Sequence, residues 1–185
     1  GGSIMMKGFR TYGAWLKATC FALILFSTTA YSGPPGMLLS YELTHDMLPT
    51  PDNFSVTVYE DGVALVHYPE YMRMAGDYTV ELSPSEVQRI RLLLEHPLVQ
   101  GFNPGQAKSQ KQDIDAQSNA LFEISDDSWS NIELYSPGAK KSIRWANLSV
   151  DATRYPEIGV FRKLAEIEAQ LRQQEQHPTA KAVID

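Results

Sequence analysis

Apolar and polar residues alternate with a period of two through several stretches of this chain, and twice the alternation gives way to a period near 3.6. Val56 and Val58 alternate with Ser55 and Thr57, the pattern of a strand with one buried face. Asp61-Gly62 follows, and two residues that tolerate positive φ predict a tight type I′ hairpin into Val63 to Tyr68. That register pairs Glu60 with Val63, Val58 with Leu65 and Val56 with His67, so Phe54, Val56, Val58, Val63 and Leu65 share one apolar face. His67 lands on it, where a hydrogen-bonded core histidine is expected. Thr57, Tyr59, Val66 and Tyr68 take the opposite face.

A further strand is expected at Tyr78, Val80 and Leu82, running into a helix start at Ser83-Pro84-Ser85-Glu86. Ser83 and Glu86 have capping-box spacing, and Pro84 occupies the first helical position, where its missing N–H costs nothing. Val87, Ile90, Leu93 and Leu94 form the apolar stripe, and Pro97 stops it. Before the hairpin, Met37 to Leu43 alternates as a strand. After it, Leu121 to Ser125, Ile132 with Leu134, and Ile143 with Trp145 read as a meander, closed by a helix from about Pro156 with Ile158, Phe161, Leu164, Ile167 and Leu171 inward. Strands then helix, twice, predicts an α+β fold: an antiparallel sheet of six to seven strands with two helices on one face. The polar run Asn103 to Ser118 reads as a long loop and residues 177–185 as a disordered tail.

The first thirty residues change the picture of where the domain begins. Gly1 to Ile4 read as an added leader, with a native start at Met5 or Met6. Residues 5–30 have the order of an export signal: Lys7, Arg10 and Lys17 without an acid, the apolar run Ala18 to Phe26, and small residues at Thr28-Thr29-Ala30. Cys20, the sole cysteine, sits inside that run rather than at its end, so it reads as part of the signal and not as a lipidation site. The mature domain, 31–176, is then cysteine-free, with no disulfide and no thiolate chemistry. Taking three bases from the 16 of the whole chain leaves 13 against 22 acids, a formal charge of −9. Phosphate binding needs clustered Lys and Arg, so the balance argues against nucleic acid as a partner; it is compatible with solubility alone and with a basic partner.

Candidate chemistry is sparse. His45, His67, His96 and His177 are scattered, with no H-x-H or H-E-x-x-H, and there is no G-x-S-x-G elbow, Walker loop or G-x-G-x-x-G. Asp113-x-Asp115 suggests a hard-cation site only if Asp126-Asp127 converge with it. A carboxylate-dependent hydrolase would draw on Glu70, Asp77, Asp113, Asp115, Asp126 or Asp127. The sequons at Asn53 and Asn147 matter only in a glycosylating host. One stretch points instead to binding: Tyr68, Tyr71, Met72, Arg73, Met74 and Tyr78 fall within eleven residues. Tyr and Arg dominate interface hot spots, and Met adapts to irregular surfaces.

Asp61-Gly62 after an alternating strand, Tyr68-Pro69, Gly76-Asp77-Tyr78, Leu82-Ser83-x-x-Glu86, Ile143-Arg144-Trp145 and Tyr155-Pro156 together resemble a loose group of uncharacterised exported bacterial proteins, over roughly Met37 to Leu171. The resemblance implies export and an α+β fold and carries over no catalytic residue. The expectation is a periplasmic or secreted protein-binding domain without cofactor, metal or catalytic residues, whose partner is another envelope or secreted protein. The alternatives are an immunity-type inhibitor of a toxic enzyme and a small exported hydrolase.

Overall fold

The computed structural model describes residues 36–47, 51–119 and 127–184. The expected export signal, the Leu121 to Ser125 strand and Asp126 lie outside them. The described residues form an α+β fold built on one seven-stranded antiparallel sheet. Its strands are β1 (Met37–His45), β2 (Phe54–Tyr59), β3 (Val63–Tyr68), β4 (Gly76–Glu81), β5 (Ser128–Ser136), β6 (Ala139–Ala146) and the short β7 (Lys181–Ala182), in the order β6-β5-β1-β2-β3-β4-β7. The β5-β6 hairpin joins the first half of the chain through β1, whose Tyr41 lies opposite Ile132 on one side and Val56 on the other.

One face of this sheet is buried. Leu39, Tyr41, Val56, Val58, Ala64, Val66, Val80, Ile132 and Ile143 all point to it. The opposite face carries Ser40, Glu42, Ser55, Thr57, Leu65, Asn131, Glu133 and Arg144, as the two-residue period of a strand requires. The helices cover the apolar face. The two expected ones are α1 (Pro84–Leu94) and, after the further helices α2 (Pro97–Gln100), α3 (Pro104–Ser118) and α4 (Leu148–Arg154), α5 (Gly159–Arg172).

Helix α1 begins as its sequence specifies: the Ser83 hydroxyl accepts the Glu86 amide at 3.3 Å and the Glu86 carboxylate accepts the Ser83 amide at 2.7 Å. Helix α5 crosses the strands. Its Phe161 ring meets Trp145 of β6 at 4.8 Å, and its buried Glu168 accepts the Tyr41 hydroxyl of β1 at 2.8 Å and the Ser130 hydroxyl of β5. Burial first, and the Glu168 carboxylate second, hold the Tyr41 phenol far above its ordinary range.

Three expectations need correcting. The hairpin has a three-residue loop: Val58 pairs with Ala64 and Val56 with Val66, with the Gly62 amide donating to the Tyr59 carbonyl. Gly62 alone has positive φ, +91°, so this is a type I turn closed by a left-handed glycine rather than a type I′ turn. The one-residue change in pairing moves Val66 and Tyr68 inward and leaves Leu65 and His67 on the open face. Second, Asn103 to Ser118 is not a loop. Asn103 caps α3 by accepting the Gln106 amide and Pro104 sits in its first turn, and Ala107, Lys111 and Ile114 face inward at helical spacing. Lys111 reaches the buried Asp151 at 2.7 Å, Trp145 donates to the same carboxylate at 2.7 Å, and Tyr155 donates to Asp115 at 2.8 Å. Polar contacts hold this helix, which is why an apolar stripe does not announce it. Third, the tail is ordered through residue 184. Strand β7 pairs Ala182 with Tyr78 and Lys181 with Thr79, and Thr179 exchanges hydrogen bonds with both main-chain groups of Glu81 at 2.8 and 2.9 Å. The tail thereby satisfies groups on β4 that an edge strand leaves open.

A Cβ added at Gly62 would lie 2.8 Å from the Leu82 carbonyl oxygen, at a φ that branched residues avoid. Gly62→Val is therefore expected to destabilise the fold by about 2 kcal/mol or more, and Ser83→Ala by about 1 kcal/mol through the lost cap. Chemical denaturation of both variants checks the order; a neutral Gly62→Val contradicts the three-residue loop.

Candidate functional site

Two neighbouring features are candidates: a histidine bracketed by carboxylates on the open sheet face, and the loop 69–75 that follows β3. Both are set up by the register of that strand. His67 points outward, opposite Ser55 on β2 and Asp77 on β4. Its Nδ1 meets Asp77 at 2.5 Å and its Nε2 meets Asp52 at 2.5 Å. Ionised carboxylates only accept, so both ring nitrogens carry protons and the ring is an imidazolium. The Asp52 hydrogen bond first and the Asp77 one second raise the His67 pKa, and His67 in turn lowers that of Asp52, helped by the Glu70 amide donating at 2.7 Å.

This arrangement argues against base catalysis. A serine triad needs one imidazole nitrogen free to take the hydroxyl proton; Ser55 stands directly across the ladder, but Asp52 holds the nitrogen that would serve it. The cluster instead ties residue 52, before β2, to the start of the 69–75 loop, through Asp52 to Glu70. Two of the other three histidines are engaged too: His96 Nδ1 accepts the Leu98 amide, and His177 Nε2 meets Glu86 at 2.8 Å.

The remaining expected acids that lie among the described residues do not converge. Asp113 is exposed while Asp115 turns inward to Tyr155, because residues two apart on a helix point to different sides. Asp127 accepts from Asn147 at 2.8 Å. Among the described residues no group of three His, Cys, Asp or Glu is placed to hold a metal ion. Asn53 and Asn147, the sequon residues, spend their amides on Glu42 and Asp127.

The six residues expected to bind a partner divide in two. Tyr68 is in the core, 3% exposed, with Phe54 at 5.1 Å and Tyr78 edge-on at 5.6 Å; Tyr78 is half-buried beside it. Tyr71, at 55% exposure, stands in solvent with Met72, Arg73 and Met74. The loop carrying them is pinned: Pro69 accepts the Met72 amide at 2.9 Å, Met72 accepts the Ala75 amide at 3.1 Å, and Gly76 turns the chain into β4 at φ +119°. Alongside it lies an open cleft of about 450 Å³ lined by Tyr68, Met72, Arg73, Met74, Glu175 and Gln176. A second cleft, of about 240 Å³, continues past Tyr71 to Phe54, His45 and Arg172. Glu175 and Gln176, on the 3-10 turn Gln174–Gln176 after α5, belong to this site and carry no local sequence signal; chain reversal alone brings them there.

No protein-family model, curated protein or solved structure matches this chain. Among the described residues no helix is long and apolar enough to cross a membrane.

The two titrations at His67 fix a pH window. Its raised pKa gives stability that is whole below the unfolded histidine value and lost as pH rises through the folded one; the lowered Asp52 pKa gives stability lost as pH falls through its folded value. The stability gap between the wild type and His67→Asn is therefore expected to be greatest between roughly pH 4 and 6.5, the ordinary carboxylate and imidazole values, and to narrow on either side. Denaturant midpoints across pH measure it, and a gap independent of pH contradicts the imidazolium assignment.

Proposed function

We propose that this chain is an exported, non-catalytic domain that binds another protein of the envelope or the secreted fraction through the 69–75 loop. The observation that carries the reading is the presentation of Tyr71, Met72, Arg73 and Met74 in solvent on a backbone pinned by two turns, Gly76 and Asp52. Holding hot-spot residue types in place before contact lowers the ordering cost of association. Three of the four histidines have at least one ring nitrogen engaged by a carboxylate or a main-chain amide, and His67 has both held by carboxylates, which supports binding over chemistry there. The order of bases, apolar run and small residues in 5–30 supports export, to the periplasm or beyond. A formal charge of −9 once that segment is removed favours a basic partner and is the feature that supports the narrower reading as an immunity-type inhibitor.

The double variant Tyr71→Ala/Arg73→Ala is expected to melt with the wild type, because both side chains are exposed, and to lose the partner that wild type retains from an envelope extract. Quantitative mass spectrometry of parallel pull-downs is the measurement. A stable double variant that captures everything the wild type does removes the loop as the contact surface.

A further inference from the structure

Two buried polar atoms among the described residues have no hydrogen-bond partner, the Gln174 amide oxygen and the Tyr68 hydroxyl. The second matters more, because Tyr68 lines the cleft beside the 69–75 loop. An orphan hydroxyl at a cleft wall is a standing demand for a partner, since desolvation has been incurred without the compensating bond. Burial, and next the Glu175 carboxylate, push this phenol up to about 12 against the opposing pull of the nearby Glu175 main-chain amide, so it stays protonated, and that amide, itself a donor, leaves the O–H without an acceptor. Met72 and Met74 share the wall, and their unbranched thioethers adapt to the shape of what they meet.

The other groups of the same wall are also uncommitted. Arg73 and Glu175 are exposed, opposite in charge, and without an ion-pair partner among the described residues. Apolar thioethers, an O–H donor, a cation and an anion thus share a cleft of about 450 Å³, inside the ordinary range for a small-ligand site. Their complements are an apolar side chain, a carbonyl, a carboxylate and an ammonium. A peptide with free ends carries all four.

We propose that this cleft binds a short apolar peptide, or the end of a longer chain, with a carbonyl on the Tyr68 hydroxyl, the carboxylate on Arg73, the amino end toward Glu175 and a side chain against Met72 and Met74. The proposal rests on the 69–75 loop as contact surface and names the chemistry it recognises.

The test titrates the dipeptide Leu-Phe, its N-acetyl form and its C-terminal amide into protein labelled at the methionine methyls. The expected result is saturable, millimolar binding that shifts the Met72 and Met74 methyls and leaves Met37 still. Arg73→Ala and amidation should each weaken it by up to about fivefold, the size of a lost solvent-exposed ion pair, without adding to one another. Tyr68→Phe should weaken binding while raising the melting temperature, because it removes the orphan and leaves the ring. If acetylation and amidation both weaken binding, the occupant is a free short peptide; if amidation alone does, it is a chain terminus. Absent or unsaturable shifts, or variants and capped peptides that bind like the originals, overturn the proposal. Should Leu-Phe fail while Tyr71→Ala/Arg73→Ala still abolishes partner capture, the peptide site falls and the protein-binding reading stands.

Discussion

Among the described residues only one face of the seven-stranded sheet is covered, and the rest of their arrangement follows from how that cover is fixed. Helix α5 lies across the strands with its apolar stripe down, and Glu168 ties it at once to Tyr41 on β1 and Ser130 on β5. A carboxylate buried in this way is tolerable only while both donors are in place. The contact thus sets the position of the helix along these two neighbouring strands as well as holding it there. Once α5 is set, its C-terminal continuation must pass the end of β2 and β3, which is how Glu175 and Gln176 come to face Tyr68 and the 69–75 loop.

A one-sided sheet also makes strand register decisive, because a shift of one residue exchanges the faces. In the observed pairing Tyr68 enters the core and His67 leaves it. The last residue of β3 is therefore an inward tyrosine whose ring packs on Phe54 and Tyr78, and after the buried Pro69 the chain runs exposed from Glu70 to Gly76. Exposure of Tyr71, Met72 and Met74 is the consequence. His67 on the outer face, by contrast, gathers Asp52 and Asp77 and holds the entry to the loop from the other side.

Much of this was legible in local pattern and some of it was not. The capping box at Ser83, the proline that ends α1 and the stripe of α5 are signals spanning a few residues, and the chain honours them. Asp61-Gly62 announces a hairpin, but a type I turn with a left-handed glycine and a type I′ turn use the same dipeptide. Only packing against α1 and α5 selects between them, and the histidine was misplaced for that reason. Helix α3 was hidden because its anchors, Lys111 and Asp115, are polar and their partners, Asp151 and Tyr155, lie forty residues away in sequence. Asn103-Pro104 was the available sign. In the candidate site the exposed loop residues were readable from composition; Glu175, Gln176 and the pairing of Asp52 and Asp77 with His67 were not, since strand register sets the pairing and chain reversal brings in the other two.

Among the surfaces of the described residues, the 69–75 loop with its cleft and the open sheet face around Thr57, Leu65 and Arg144 compete most directly for a partner, and recognition is assigned to the first. The charges of the sheet face are largely satisfied within it, with Arg144 stacked 4.1 Å over Trp129 and Lys140 paired to Glu133 at 2.9 Å. Site-specific photo-crosslinking in the living host separates the two, with a photoreactive residue placed at Tyr71 in one strain and at Leu65 in another. The account predicts one discrete crosslinked species from position 71 and none from position 65; a discrete product from 65 with none from 71 would contradict it.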